Sequence, residues 1–177
     1  MTEHAPTPFG TLRIRTGALV FCGERIALLR RERPASVHYT PPGGNVEAGE
    51  DLLDALAREL EEELALTPGH HTTPQLLWVV DQRVNRPGPT PPPRKLHLIY
   101  RLHITEGVRS RLATEEYDEQ PDGSTETGFV EWIDYRRAAS LSIFPPIGPA
   151  LAALPHPDAP VLDAGLPAVT DRNYTWV

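Results

Sequence analysis

Leucine recurs at every fourth position through Leu52, Leu56, Leu60 and Leu64, the spacing of one apolar face of an α-helix. Strong helix formers fill the stretch from Asp51 to about Leu66, and Pro68 with Gly69 supplies the stop. Elsewhere the apolar pattern is that of strands. "TLRIRTGALVFC" and "RIALLRR", separated by Gly23-Glu24, predict a hairpin. "QLLWVVDQRV" and "KLHLIYRLHI" predict two further strands joined by "NRPGPTPPP", a stiff polyproline-like connection, and "GFVEWIDY" predicts another. "VHYTPPGG" reads as loop, because two prolines and two glycines break regular structure. "YRRAASLSIFPPIGPALAAL" predicts a short helix, a break at Pro145 and Pro146, and a second helix. The proline-rich stretch that follows is expected to drape over the surface or to be disordered, with Tyr174 and Trp176 as candidate anchors. Strands and helices alternate without a regular βαβ rhythm, so the expected class is α/β, a mixed β-sheet with helices packed on it.

Composition narrows this picture. A chain of 177 residues with 40% hydrophobic and 23% charged residues suits one domain with its own core, without wholesale disorder. Cys22 is the single cysteine, which excludes an internal disulfide and a multi-cysteine zinc site and suggests a reducing compartment. With no signal-peptide pattern and no apolar run of about 20 residues, the expected location is cytoplasmic, with no membrane partner. The net charge of -7 is concentrated between residues 47 and 63, where eight acids face one base, Arg58. The rest balances, so no clear nucleic-acid surface is expected.

The acidic segment carries the candidate chemistry. At about 100° per residue, Glu59, Glu62 and Glu63 share one helix face while Glu61 points elsewhere, and the leucine stripe lies about a quarter turn away. Such a helix can pack by its leucines and still present three carboxylates to a cleft, at the cost of like-charge repulsion. Oxygen ligands without His or Cys favour a hard cation such as Mg²⁺, which accepts carboxylates, waters and substrate phosphates. The preceding Gly43-Gly44 allows close backbone approach. By itself an acidic helix is most often a solvated face. Arg13, Arg15, Arg25, Arg30, Arg31 and Arg33 cluster around the predicted hairpin; some could grip phosphates, although most such residues are solvated. His38 and Tyr39 could contact a base or simply pack. Trp78 and Trp132 read as core, His70 and His71 as exposed, and Cys22 as a small buried residue.

The stretch from Gly44 resembles the Nudix box, G-x5-E-x7-R-E-U-x-E-E-x-G-U with U a bulky aliphatic residue. Gly44, Glu50, Arg58, Glu59, Leu60, Glu62, Glu63 and Leu66 fall on it in register, and only Ala65 stands where the family has glycine. So many fixed positions over 23 residues make the match specific. "ETGFVEWIDY" and "IFPP" further resemble the late strand and proline break of MutT-like members. The resemblance implies a Nudix-type α/β/α sandwich over residues 12–154, between an N-terminal tail at 1–11 and a C-terminal tail at 155–177. It implies a pyrophosphohydrolase that uses Mg²⁺ or Mn²⁺ to cleave a nucleoside diphosphate linked to another moiety, with water attacking phosphorus. The alternative is a catalytically weak module acting as a nucleotide-binding regulator.

Carried over by position, Glu59, Glu62, Glu63 and the Gly43 carbonyl would hold metal, joined by Glu126 six residues before Trp132, with Glu131 or Glu116 as alternatives. Glu62 or Glu126 would act as base, Arg58 and Glu50 would brace loop and helix, and Arg30, Tyr39 and Gly44 are candidate substrate contacts. With alanine at position 65, the helix end is expected to shift toward Pro68-Gly69. The resemblance implies homodimerisation as one option.

Overall fold

The computed structural model describes residues 7–176; the first six residues of the expected N-terminal tail lie outside the described residues, as does Val177. Strands β1 (Leu12–Cys22) and β2 (Arg25–Arg33) form the expected hairpin but pair only at its closed end, Phe21 with Ile26 and Cys22 with Arg25. Beyond that point they part, and each needs another partner for its backbone groups. Strand β3 (Ser36–Thr40) takes the free edge of β2, and β4 (Gly43–Asn45) pairs with Arg15–Gly17 of β1. The segment expected to be loop is therefore two short strands, with Pro41 and Pro42 falling between them, where no ladder needs their missing N–H groups.

Strands β5 (Gln75–Arg83) and β6 (Arg94–His103) are antiparallel to each other, and β6 runs parallel to the whole of β1. A second hairpin of β7 (Glu115–Glu119) and β8 (Thr125–Asp134) adds to β2. Its acidic, non-alternating "EEYDE" gave no strand pattern, as suits a charged strand at a sheet edge. The order β7-β8-β2-β1-β6-β5-β9 makes a mixed sheet, with β9 (Val169–Thr170) parallel to β5.

Alternation along the central strands sends side chains to two cores. Ala18, Val20, Ala27, Leu29, Leu98 and Leu102 meet Leu56, Leu60 and Leu64 of helix α1 (Leu52–Leu64). Leu19, Phe21, Ile26, Leu28 and Ile99 meet the opposite layer, built from a 3₁₀ turn at Tyr135–Ser140 and from a short helix after the proline break. In chain order the short helices are α2 (Glu106–Arg109) and α3 (Gly148–Ala152). The result is the expected mixed sheet with helices on both faces. Leu52, at the open end of the stripe, stays exposed.

Two expectations are corrected. The C-terminal stretch is neither loose nor merely draped. Val79 N–H donates to the Ala164 carbonyl at 2.7 Å, Leu166 N–H donates back to Val79 at 3.1 Å, and the buried Arg101 donates to the Pro157 and Ala159 carbonyls, both at 2.8 Å. Ala159, Val161, Leu166 and Val169 pack on the core, while Leu162 stays exposed. The second correction concerns the end of α1. It ends at Ala65, held in the left-handed region at φ 55° and ψ 30°, with its N–H on Glu61 and that of Leu66 on Leu60. Burial of Leu66 against the α1 core holds the chain there despite the missing glycine. Ala65→Gly is expected to raise stability by about 1 kcal/mol, less the entropy glycine adds to the unfolded chain; a denaturation midpoint at or below that of wild type would contradict this strain.

Candidate active site

The gap where β1 and β2 part opens into a cleft of about 560 Å³. One wall is the N-terminal loop and helix of the acidic segment. Gly43 has φ 146°, and a Cβ there would lie 2.1 Å from the Thr16 carbonyl oxygen, so the loop can lie on β1 only as glycine. Its N–H donates to Glu63 Oε2 at 2.7 Å. At Gly44 a Cβ would fall 2.0 Å from Glu59 Oε1, so this glycine lets the helix carboxylate close onto the loop.

Arg58 locks the arrangement. It donates to both Glu50 oxygens at 2.9 and 3.0 Å, to Glu59 Oε1 at 2.9 Å and to the Asn45 carbonyl at 3.0 Å. Glu50 in turn accepts from Glu47 N–H at 3.0 Å, and the Arg58 hydrogen bonds hold its carboxyl below the usual range.

Glu59, Glu62 and Glu63 all line the cleft, and Glu61 does not. Burial pushes the Glu63 carboxyl up to about 8, reinforced by Glu116 and Glu59, and burial likewise raises Glu59 and Glu116. Across the cleft Glu116 pairs with Arg31, while Glu126 lies 3.9 Å from Arg31 and 4.0 Å from Arg33. A third wall is cationic. Burial lowers Arg15 and brings Lys95 down to about 8, the charged neighbours Arg15, Arg86 and Arg13 adding to it. His97 is pushed down to about 3 by burial and then by Arg15 and Lys95, so it is neutral, 2.7 Å from Gln82 Oε1.

Glu59, Glu62, Glu63, Glu116, Glu126, Gly43 and Gly44 come together here, whereas Arg30, His38, Tyr39 and Glu131 do not. Arg30 and Tyr39 are not among the cleft residues: Arg30 sits by Glu32 and Glu131, and Tyr39 is buried with its hydroxyl 3.4 Å from Glu131. Strand alternation explains this, since Arg31 and Arg33 share the face that looks into the cleft. Glu131 falls with Arg30 on the other side. Lys95, His97, Phe144 and Trp176 also line the cleft, unforeseen from sequence. The first two could have been found by the period-two pattern of "KLHLIYRLH", which separates Lys95, His97 and Ile99 from Leu96, Leu98 and Tyr100.

The donors fit a divalent cation such as Mg²⁺ or Mn²⁺. They are oxygens only, and buried carboxylates crowded as Glu63 is against Glu59 and Glu116 resist ionisation unless a cation joins them. Among the described residues no three His, Cys, Asp or Glu side chains close into a ready-made shell.

A pH dependence follows. The folded carboxyl of Glu63 titrates near 8 against an ordinary 4.5, so its stabilising proton is fully held below 4.5 and lost as pH rises through 8. His97 acts oppositely only below 6.5, and Lys95 only above 8. In EDTA, stability is therefore expected to fall between pH 6.5 and 8, by at most about 1.4 kcal/mol per pH unit. Thermal melts across that window check it; a flat or rising profile would contradict the burial of this carboxylate.

Comparison with known proteins is consistent with this geometry. The NUDIX domain family matches residues 11–154. Among curated proteins no sequence matches this chain. Among solved structures, a MutT protein from Methanosarcina mazei Go1 is similar at 17% identity and TM-score 0.56, covering 84% of this chain and 94% of that one. A NUDIX hydrolase from Nitrosomonas europaea is similar at 16% and 0.56, covering 95% and 82%. A C. elegans Ap4A hydrolase binary complex is similar at 19% and 0.50, covering 78% and 92%. At these identities the likeness is one of fold.

Proposed function

Because the chain belongs to the Nudix family, whose hydrolases act on pyrophosphate bonds of nucleoside diphosphate derivatives, we propose that it is a Mg²⁺- or Mn²⁺-dependent pyrophosphohydrolase. Its substrate is a nucleoside diphosphate linked to a second moiety, and water attacks phosphorus. The observation that carries this reading is the pairing of opposite walls in one cleft: Glu59, Glu62 and Glu63 on one side, Arg15, Arg31, Arg33 and Lys95 on the others. A metal-bound diphosphate presents the complementary charges.

Glu59, Glu62 and Glu63, with the Gly43 carbonyl and Glu126, would hold the metal, which supplies charge neutralisation and a more acidic bound water. The chain's own residues do the rest. The cationic walls offset diphosphate charge where the low-dielectric cleft strengthens it. Arg58 and Glu50 keep the loop and helix in register, so the carboxylates are positioned before substrate arrives. Glu62, the most exposed of the three helix carboxylates, takes the proton of the attacking water, with Glu126 as the second candidate on the facing strand. Because these carboxylates share one site, their titration belongs to the group rather than to any one of them. The domain is proposed to span 12–154, with the C-terminal stretch as an integral addition.

Purified protein should be screened for phosphate-ester or phosphate release against dNTPs, oxidised dNTPs, dinucleoside polyphosphates, nucleotide sugars, ADP-ribose, NADH and coenzyme A. Each reaction runs with Mg²⁺, with Mn²⁺ or with EDTA, and with Glu62→Gln as blank. Metal-dependent release lost in the variant is expected. Turnover that survives both EDTA and the variant would overturn the assignment.

A further inference from the structure

Trp176 lies beyond the residues the family domain matches, yet it lines the cleft beside Phe144, Pro145 and His97. Its position is set by backbone pairing. Val169 and Thr170 extend the sheet beside Gln82 and Arg83, Asp171 accepts from the Asn85 N–H at 2.9 Å and side-chain amide at 2.6 Å, and Tyr174 N–H donates to Thr170 at 3.0 Å. From there the chain delivers two aromatic rings to Phe144, Tyr174 at 5.0 Å and Trp176 at 6.1 Å between centroids. Phe144 itself stands edge-on to His97 at 5.8 Å. Trp176 meets Phe144 nearly edge-on, at 75°, and remains 36% exposed. A large apolar ring at the mouth of a cleft otherwise walled by charge is costly in water and favourable against another planar ring.

We propose that Trp176, braced on Phe144, is the stacking surface for the nucleobase of the substrate. This rests on the nucleotide-hydrolase reading above. The acidic and cationic walls are suited to the metal and diphosphate, and Trp176 with Phe144 offers the aromatic surface left for the base. Of the other rings among the described cleft residues, Tyr117 is 68% exposed and turned to Glu115 through its hydroxyl, and His97 is buried. Stacking is tolerant of base identity, so Trp176 supplies affinity for a base as such, purines more than pyrimidines by area.

The test is binding in the presence of Mg²⁺, with ADP and GDP as probes and inorganic pyrophosphate as the probe without a base. Trp176→Ala is expected to weaken ADP and GDP at least about fivefold and to leave pyrophosphate unchanged. Trp176→Phe should recover most of the loss. Trp176→Leu, which keeps apolar volume against Phe144, should behave as the alanine variant and covers the case in which alanine does not fold. Wild-type tryptophan fluorescence should be quenched by ADP or GDP, and the quenching lost in Trp176→Phe, where Trp78 and Trp132 remain. Equal affinities in wild type and Trp176→Leu, an equal loss for pyrophosphate, or no binding of either nucleotide by wild type would overturn the proposal. Binding with this pattern but without turnover in the substrate screen would overturn the enzymatic reading and leave the stacking surface standing.

Discussion

Glu63→Gln is expected to raise the melting temperature of the metal-free protein at pH 8 by several degrees and to lower kcat by at least about a hundredfold. The two effects have one cause. Glu63 is held among like charges in a buried position that favours its proton, while its Oε2 accepts from the Gly43 N–H. Glutamine keeps an acceptor for that N–H and removes the ionisable group, so the apo fold gains and the pH slope between 6.5 and 8 flattens. The same exchange removes a charge that the proposed metal site would use. A residue that opposes stability where it serves chemistry is the usual signature of a functional site. Wild-type turnover in the variant, or a lower melting temperature at pH 8, would remove Glu63 from the metal-binding set.

Gly43→Ala is expected to destabilise the protein by about 3 kcal/mol or more. The added Cβ meets backbone, the Thr16 carbonyl at 2.1 Å and Gly17 Cα at 2.6 Å, in a conformation that side chains rarely adopt. Neither partner can swing aside, so β4 must lift from β1 and take the Gly43–Glu63 hydrogen bond with it. Gly44→Ala is the informative contrast. Its Cβ first meets the carboxylate end of Glu59, a side chain that can rotate away from Arg58, so stability should move by less than about 1 kcal/mol while activity falls. Chemical denaturation of both variants beside their turnover separates these outcomes. A Gly43→Ala midpoint matching that of wild type would mean the loop does not lie on β1 as described.

Helix α1 and its three carboxylates were legible because the 3.6-residue period acts locally: the spacing of Glu59, Glu62 and Glu63 decides their common face whatever the rest of the chain does. The long apolar strands were legible for the same reason. What escaped depended on partners distant in sequence. Strands β3 and β4 exist because β1 and β2 separate, which no stretch between 36 and 45 announces. Strand β7 is an edge of acidic residues, and the C-terminal stretch is ordered by β5 and Arg101 rather than by its own composition. Arg31 and Arg33 could be told from Arg30 only once the cleft had been assigned to one face of β2. At Ala65 the absent glycine suggested a displaced helix end, and the buried Leu66 outweighed that local preference.

Strand β6 constrains how this protein can change over evolutionary time. Its odd positions, Lys95, His97 and Ile99, look into the cleft, while Leu98, Tyr100 and Leu102 lie in the core against α1. A codon gained or lost inside β6 would exchange the two sets, sending a lysine and a histidine under the helix and leucines toward the substrate. Change in the cleft along this strand is therefore confined to point substitutions at alternate positions. Insertions are left to the exposed proline-rich connection at 86–91, where added length disturbs neither set.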